Sequence, residues 1–170
     1  DLAADALDNA ATPRTGDHSL NEWAISPDFL ATARAAAVLV GLVVRDDAVR
    51  VLLTQRTADL RDHAGQIAFP GGKMDPDDAS PAETAIREAG EEIGLAREAI
   101  EVLGYLDPYL TRTGFRIVPV VARLTPPFDL TINPAEVVDA FEVPFAFLMD
   151  VANHQLLQRE WMGLPRSFYA

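Results

Sequence analysis

Residues 69–95 constrain the fold of this chain more than any other stretch. They open on Phe69-Pro70-Gly71-Gly72-Lys73, pass through an acidic loop with Asp75, Asp77 and Asp78, and enter a helix-forming run bounded by Ser80 and Gly94. Ser80 is a good N-cap, Pro81 suits the first helical position, and Glu83 completes a capping box. Gly94 can take the left-handed conformation that stops a helix. The spacing of Ala82, Ala85, Ile86, Ala89 and Ile93 predicts a helix over 81–93 with that face in a core. The same helix carries Glu88, Glu91 and Glu92. Residues three and four apart share a helix face, so the three carboxylates are expected to converge on one small volume. Like charges so placed destabilise a bare helix by roughly 0.2–0.5 kcal/mol per pair. A hard divalent cation such as Mg²⁺ or Mn²⁺ removes that repulsion, and it favours carboxylate and phosphate oxygens.

Arg87 stands four residues after Glu83 and four before Glu91, placed to hold Glu91 and to lower the local repulsion. Gly90 costs about 1 kcal/mol against Ala inside a helix, and close approach of another backbone would explain it. A glutamate run alone is ordinarily a solvated face. The glycine pair, capped start, Arg-Glu, Glu-Glu and glycine stop together point to chemistry instead.

Residues 72–95 resemble the Nudix box, the loop-helix signature of Nudix hydrolases. That pattern is a Gly, a Glu six further on, then Arg-Glu, an apolar residue, any residue, Glu-Glu, any residue, Gly and an apolar residue. Arg87-Glu88-Ala89-Gly90-Glu91-Glu92-Ile93-Gly94-Leu95 matches its second half throughout. The first half departs from it. The loop from Gly72 to Arg87 is one residue longer than usual, and no glutamate fills the early acidic position. Asp78 is the nearest substitute, and in the family that position looks mainly structural. Upstream, Leu52-Leu53-Thr54-Gln55-Arg56, Leu60-Arg61-Asp62-His63 and Phe69-Pro70-Gly71-Gly72 look like the signature of the coenzyme A pyrophosphatase branch, which shares the longer loop.

The resemblance implies an α+β fold, the Nudix α/β/α sandwich with a mixed β-sheet. It implies metal-dependent hydrolysis of the diphosphate bond of coenzyme A or its thioesters. Glu88, Glu91 and Glu92 would hold Mg²⁺ or Mn²⁺. A late-loop carboxylate often serves such enzymes as base or extra ligand, and Glu136 is favoured here over Glu142. A homodimer is implied by the same analogy. Two alternatives stay open: action on another nucleoside diphosphate compound, such as a dinucleotide or sugar nucleotide, and a silent nucleotide- or partner-binding module. Retention of all three box glutamates weighs against the second.

Arg56, Arg61, His63 and Lys73 are the candidate contacts to substrate phosphates, with Gly71 and Gly72 shaping the loop around them. Arg offers a planar fork to phosphate, whereas His63 can equally fix the turn before Gly65. Arg112 and Arg116 are weaker candidates of the same kind. Tyr109, Phe115 and Phe128 are possible adenine platforms, with core packing the commoner role for any aromatic.

The net charge of −12 excludes a nucleic-acid polymer as the expected partner, since such binders are basic. A small phosphorylated substrate remains compatible, because a bound cation inverts the local charge. The longest apolar run, 35–44, is ten residues, half of what a membrane-spanning helix needs. There is no cysteine, which fits a reducing cytoplasm and excludes thiolate chemistry. Residues 1–33 read as an N-terminal arm or cap and 34–170 as the Nudix hydrolase domain. Within it, 35–44 and 49–57 read as a hairpin, 66–69, 100–106, 115–124 and 137–143 as strands, and 144–151 as a short helix. Pro119 is expected to mark an edge or bulge. Trp161–Tyr169 reads as one last strand. The branch usually continues from there into a C-terminal helix, so either a tail lies outside this sequence or the domain is shortened.

Overall fold

A computed structural model of the chain describes residues 13–21, 25–46, 48–58, 65–161 and 163–169. Thr15–Gly16 forms β1, and Pro27–Thr32 forms the short helix α1. The Ser26 hydroxyl caps α1 by accepting from the Phe29 N–H at 3.1 Å. β2 (Arg34–Arg45) and β3 (Ala48–Arg56) are the expected antiparallel hairpin, turning at Asp46 with φ 48°. β4 (Ile67–Ala68) and β5 (Gly71–Lys73) lead into α2 (Pro81–Ile93). Then come β6 (Ile100–Tyr105), β7 (Tyr109–Leu110), β8 (Phe115–Leu124) and β9 (Val137–Pro144). The chain continues through α3 (Phe145–Met149), β10 (Leu156–Trp161) and β11 (Leu164–Tyr169).

Among the described residues, nine strands make one mixed sheet. Its order is β1-β7-β8-β2-β3-β4, with β5 also on β2, β6 on β8 and β9 on β3. β2 runs parallel to β8 and antiparallel to β3. The long α2-containing connection makes that parallel pairing reachable. A mixed sheet with few helices packed on it is the expected α+β sandwich. Among the described residues, no helix is long and apolar enough to cross a membrane.

The core explains why α2 lies where it does. Ala85, Ala89 and Ile93 bury against Ala37, Leu39 and Val43 of β2, Leu52 of β3, and Val120, Ala122 and Leu124 of β8. Small alanines on α2 let the helix axis come close to the sheet, and burying each large aliphatic contributes about 1.5–3 kcal/mol. Val51 and Leu53 point to the opposite face of β3 and are buried too, so that strand is covered on both sides.

Three expectations change. Pro119 lies in the central strand β8, between β2 on one side and β6 and β7 on the other. Its carbonyl accepts from Leu106 N–H, in the link between β6 and β7. A strand residue aims its N and O at the same neighbour, so the missing donor faces the point where β8 changes partners. The segment expected as one last strand is the second half of a hairpin: β10 and β11 pair antiparallel and turn at Gly163, φ 75°. Among the described residues, Gly90 shows no close approach, since a Cβ there would meet only the Leu95 carbonyl at 3.8 Å. With no steric reason for glycine, Gly90→Ala is expected to stabilise the protein by about 0.5–1 kcal/mol. Urea unfolding would show a raised midpoint at unchanged slope; a lowered midpoint would contradict it.

Candidate active site

The site is built where β5 meets α2. β5 pairs with β2 in the register Val38↔Gly71, Ala37↔Gly72 and Ala36↔Lys73. A Cβ on Gly71 would lie 2.4 Å from the Ala37 carbonyl and 2.6 Å from Val38 Cα. A Cβ on Gly72 would lie 2.5 Å from the Glu88 carboxyl carbon. The first glycine lets the loop reach the sheet; the second leaves room for a carboxylate on top of the loop.

Glu92 is 2% exposed, an unusual depth for a carboxylate. It accepts from Gly71 N–H at 3.2 Å and lies 3.4 Å from Arg56 Nη1. Burial pushes its carboxyl up to about 7, against the pull of Gly71 N–H and Arg56 and with the push of Glu88 and Glu136. Burial also raises Glu88, opposed by Arg87 and reinforced by Glu91 and Glu136. Glu91 is half-exposed and bound to Arg87 Nη1 at 3.0 Å.

Arg87 is the organiser of this cluster. Its Nε and Nη2 grip the two oxygens of Asp78 at 3.1 and 3.0 Å, and Nη2 also donates to the Lys73 carbonyl at 3.1 Å. Nη1 reaches Glu88 and Glu91, each at 3.0 Å. Asp78 is fixed in turn by the Thr84 hydroxyl and the Asp75 N–H, both at 2.9 Å. The two-oxygen grip of Arg87, with these further donors, holds the Asp78 carboxyl down at about 2. Asp78 thus fills the early acidic position of the motif. The other neighbour foreseen for Arg87, Glu83, pairs instead with Arg97 at 2.6 and 2.8 Å, while its N–H is capped by Ser80 Oγ at 3.2 Å.

A late loop brings Glu136 to the same place. Thr131 N–H donates to the Ile93 carbonyl at 2.8 Å and Asn133 N–H to the Glu92 carbonyl at 2.9 Å, so the loop closes the end of α2. Glu136 adds its charge to Glu88 and Glu92, and its carboxylate accepts at 3.1 Å from the side chain of the same Asn133. Glu142 lies elsewhere on β9, paired with Arg45 at 2.8 Å. Asn133 was not singled out by its sequence; the signal that marks it is Asn133-Pro134, a turn-starting pair.

The remaining candidates divide clearly. Arg56 lies at the carboxylates, and Lys73 is exposed on β5 with its carbonyl used by Arg87. Arg61 and His63 lie outside the described residues. Arg116 is buried at 6% exposure, and Arg112 N–H donates to Asp17 at 2.7 Å. The aromatics have other work. Phe115 packs under the Arg34 guanidinium at 3.9 Å, and Phe128 packs against the core. Tyr109 donates to Asp17 at 2.7 Å and lines a cavity of about 460 Å³ with Leu20, Phe168 and Tyr169, away from every box residue.

The expected convergence of Glu88, Glu91 and Glu92 is only partial. Among the described residues, no three acidic or histidine side chains stand close enough to make a finished ligand shell. Arg87 Nη1 bridges Glu88 and Glu91 at 3.0 Å from each, while Glu92 is tied to the Gly71 N–H and Arg56. The donor set still fits a hard divalent cation: Glu88, Glu91 and Glu92 offer carboxylate oxygens from one stretch of α2, and Glu136 adds its charge to Glu88 and Glu92.

Comparison with known proteins gives a consistent picture. The NUDIX domain family model matches residues 35–163. The uncharacterised Nudix hydrolase NudL of Photorhabdus laumondii is 40% identical over 136 residues, covering 80% of this chain and 72% of that protein. NudL of Yersinia pestis is 38% identical over 141 residues, covering 83% and 70%. Among solved structures, the M. smegmatis Nudix hydrolase RenU superposes with a TM-score of 0.58 at 25% identity, over 69% of this chain and 74% of that one. The C. elegans Ap4A hydrolase shares the fold, with a TM-score of 0.55 at 22% identity, over 69% and 86%.

Proposed function

Because this chain belongs to the Nudix hydrolase family, an enzyme family acting on phosphorus anhydrides, we propose that it hydrolyses the diphosphate of coenzyme A or its thioesters. Water adds across the P–O–P bond, leaving 3′-phosphoadenosine 5′-phosphate and phosphopantetheine or its acyl derivative. The observation that carries the chemistry is the deeply buried Glu92, tied to the Gly71 N–H, with Glu88 resting on Gly72. The substrate class rests on the segment 52–72 and on the lengthened loop before Arg87.

In this reading Glu88, Glu91 and Glu92 hold Mg²⁺ or Mn²⁺, which when bound polarises the diphosphate and lowers the pKa of an attacking water. Glu136 takes the proton that this water gives up. Arg56 holds Glu92 in the free protein and offers its guanidinium to a phosphate when substrate enters. Lys73, and Arg61 and His63 on the segment before Gly65, are further phosphate contacts. Gly71 and Gly72 keep the loop flat enough for phosphate to approach its backbone. The catalytic unit is residues 34–170.

Ranking kcat/KM for coenzyme A, acetyl coenzyme A, a dinucleotide and a sugar nucleotide tests the substrate class. Coenzyme A or its thioester is expected to lead by about tenfold or more, which corresponds to roughly 1.4 kcal/mol of transition-state preference. A dinucleotide or sugar nucleotide in first place would overturn the coenzyme A reading and leave the hydrolase chemistry standing.

A further inference from the structure

Asn133 makes five hydrogen bonds that join the end of α2 to Glu136. Its N–H donates to the carbonyl of Glu92, at 2.9 Å. Its carbonyl accepts from the N–H groups of Glu136 and Val137, both at 3.0 Å. Its side-chain oxygen accepts from Ala135 N–H at 3.2 Å, closing an Asx turn over Pro134. Its side-chain nitrogen donates to Glu136 Oε1 at 3.1 Å. An N–H on one side and a carboxylate on the other leave only one orientation for this amide. From the opposite direction, Thr57 N–H donates to the Glu136 carbonyl at 3.0 Å, which pins the residue's backbone to the end of β3.

We propose that Asn133 is a positioning residue that fixes the Glu136 carboxylate against the α2 carboxylates through its side-chain amide. The inference rests on the role given above to Glu136. The backbone of Glu136 is held next to β3 and by the turn, but its side chain has three further torsions to settle. A hydrogen bond from Asn133 holds its carboxylate, and Asn133 is itself registered on the Glu92 main chain. The loop thereby measures its position from the same helical turn that carries the buried carboxylate. Groups that orient a reacting or ligating side chain in this way typically matter by 10–100-fold in activity or metal affinity.

Two substitutions separate the amide's role from the turn's. Asn133→Ala removes both side-chain bonds. Asn133→Ser keeps a hydroxyl able to accept from Ala135 N–H but too short to reach Glu136. Both variants, and each combined with Glu136→Gln, are compared for kcat, KM, melting temperature and Mn²⁺ affinity by calorimetry without substrate. Both single variants are expected to lose about tenfold in kcat, with KM within about twofold and Mn²⁺ binding weakened in parallel. Neither should lose more when Glu136 is already Gln, because coupled residues are non-additive. Recovery of wild-type values in Asn133→Ser would overturn the proposal, since the turn alone would then be its role. So would a full additional loss on the Glu136→Gln background, or wild-type behaviour of Asn133→Ala. The Mn²⁺ titration uses no substrate, so a wrong substrate assignment cannot be mistaken for a wrong role for Asn133. Wild-type kcat and Mn²⁺ affinity in Glu136→Gln itself would remove the assigned role of Glu136 and this inference with it.

Discussion

Glu92→Gln is expected to lower turnover by about 10³-fold, because it takes several kcal/mol of charge stabilisation from the centre of the site. The same change is expected to make the metal-free protein more stable. Glu92 is raised to about 7 in the fold, above its ordinary value of 4.5. Between those values the folded state binds more protons than the unfolded one, so stability falls as pH rises through that window. Above pH 7 the buried charge costs on the order of 3 kcal/mol, and Gln avoids it while still accepting from Gly71 N–H. Thermal unfolding in a chelator should therefore show the variant ahead of wild type at pH 8, with the gap closing towards pH 4.5. An active variant, or one less stable than wild type at pH 8, would contradict the assignment. Function and stability pull against each other at this one residue, as expected where a carboxylate is buried to hold a cation rather than to hold the fold.

Asp78→Ala is the second large effect, and it runs the other way. Asp78 is nearly buried, and Arg87 loses its two-oxygen partner when it goes. Breaking a buried pair from one side ordinarily costs 3–5 kcal/mol; with Arg87 about a quarter exposed, a loss of about 2–3 kcal/mol is expected. Activity should fall as well, since the freed guanidinium binds Glu88 and Glu91 more tightly and competes with any cation there. The Asp78 carboxyl is depressed to about 2, below its ordinary 3.8. Its contribution is thus complete above about pH 4 and is lost as pH falls towards 2. Urea unfolding at pH 7 and pH 2 checks both points. An equal loss at both pH values would show that packing, not the ion pair, is what Asp78 supplies.

How far the sequence carried depended on the range of the forces involved. Helix α2 was legible to its end residues, because Ser80, Pro81 and Gly94 act within one turn. The hairpin of β2 and β3 was legible from two apolar runs with a short polar break. The role of Asp78 was within reach because it rests on motif spacing. The division of the glutamates was not: helical spacing predicts a shared face but says nothing of Arg87 bridging Glu88 and Glu91 while Gly71 and Arg56 hold Glu92. Pro119 misled because its edge-strand rule assumes a fixed neighbour, whereas β8 exchanges β6 for β7 at that point. The hairpin of β10 and β11 was half seen, since Leu156–Trp161 mixes polar and apolar residues without a strand period. Asn133 stayed hidden because its meaning is wholly tertiary: it links the backbone of Glu92 to the carboxylate of Glu136, 44 positions later.

Incubation of the wild-type protein with coenzyme A in ¹⁸O-water, with Mg²⁺, with Mn²⁺ and with a chelator, tests the central claim most directly. Mass analysis is expected to show 3′-phosphoadenosine 5′-phosphate and phosphopantetheine in the metal samples only, with one ¹⁸O on a product phosphate. Equal cleavage in the chelator, or none with either metal, would contradict it.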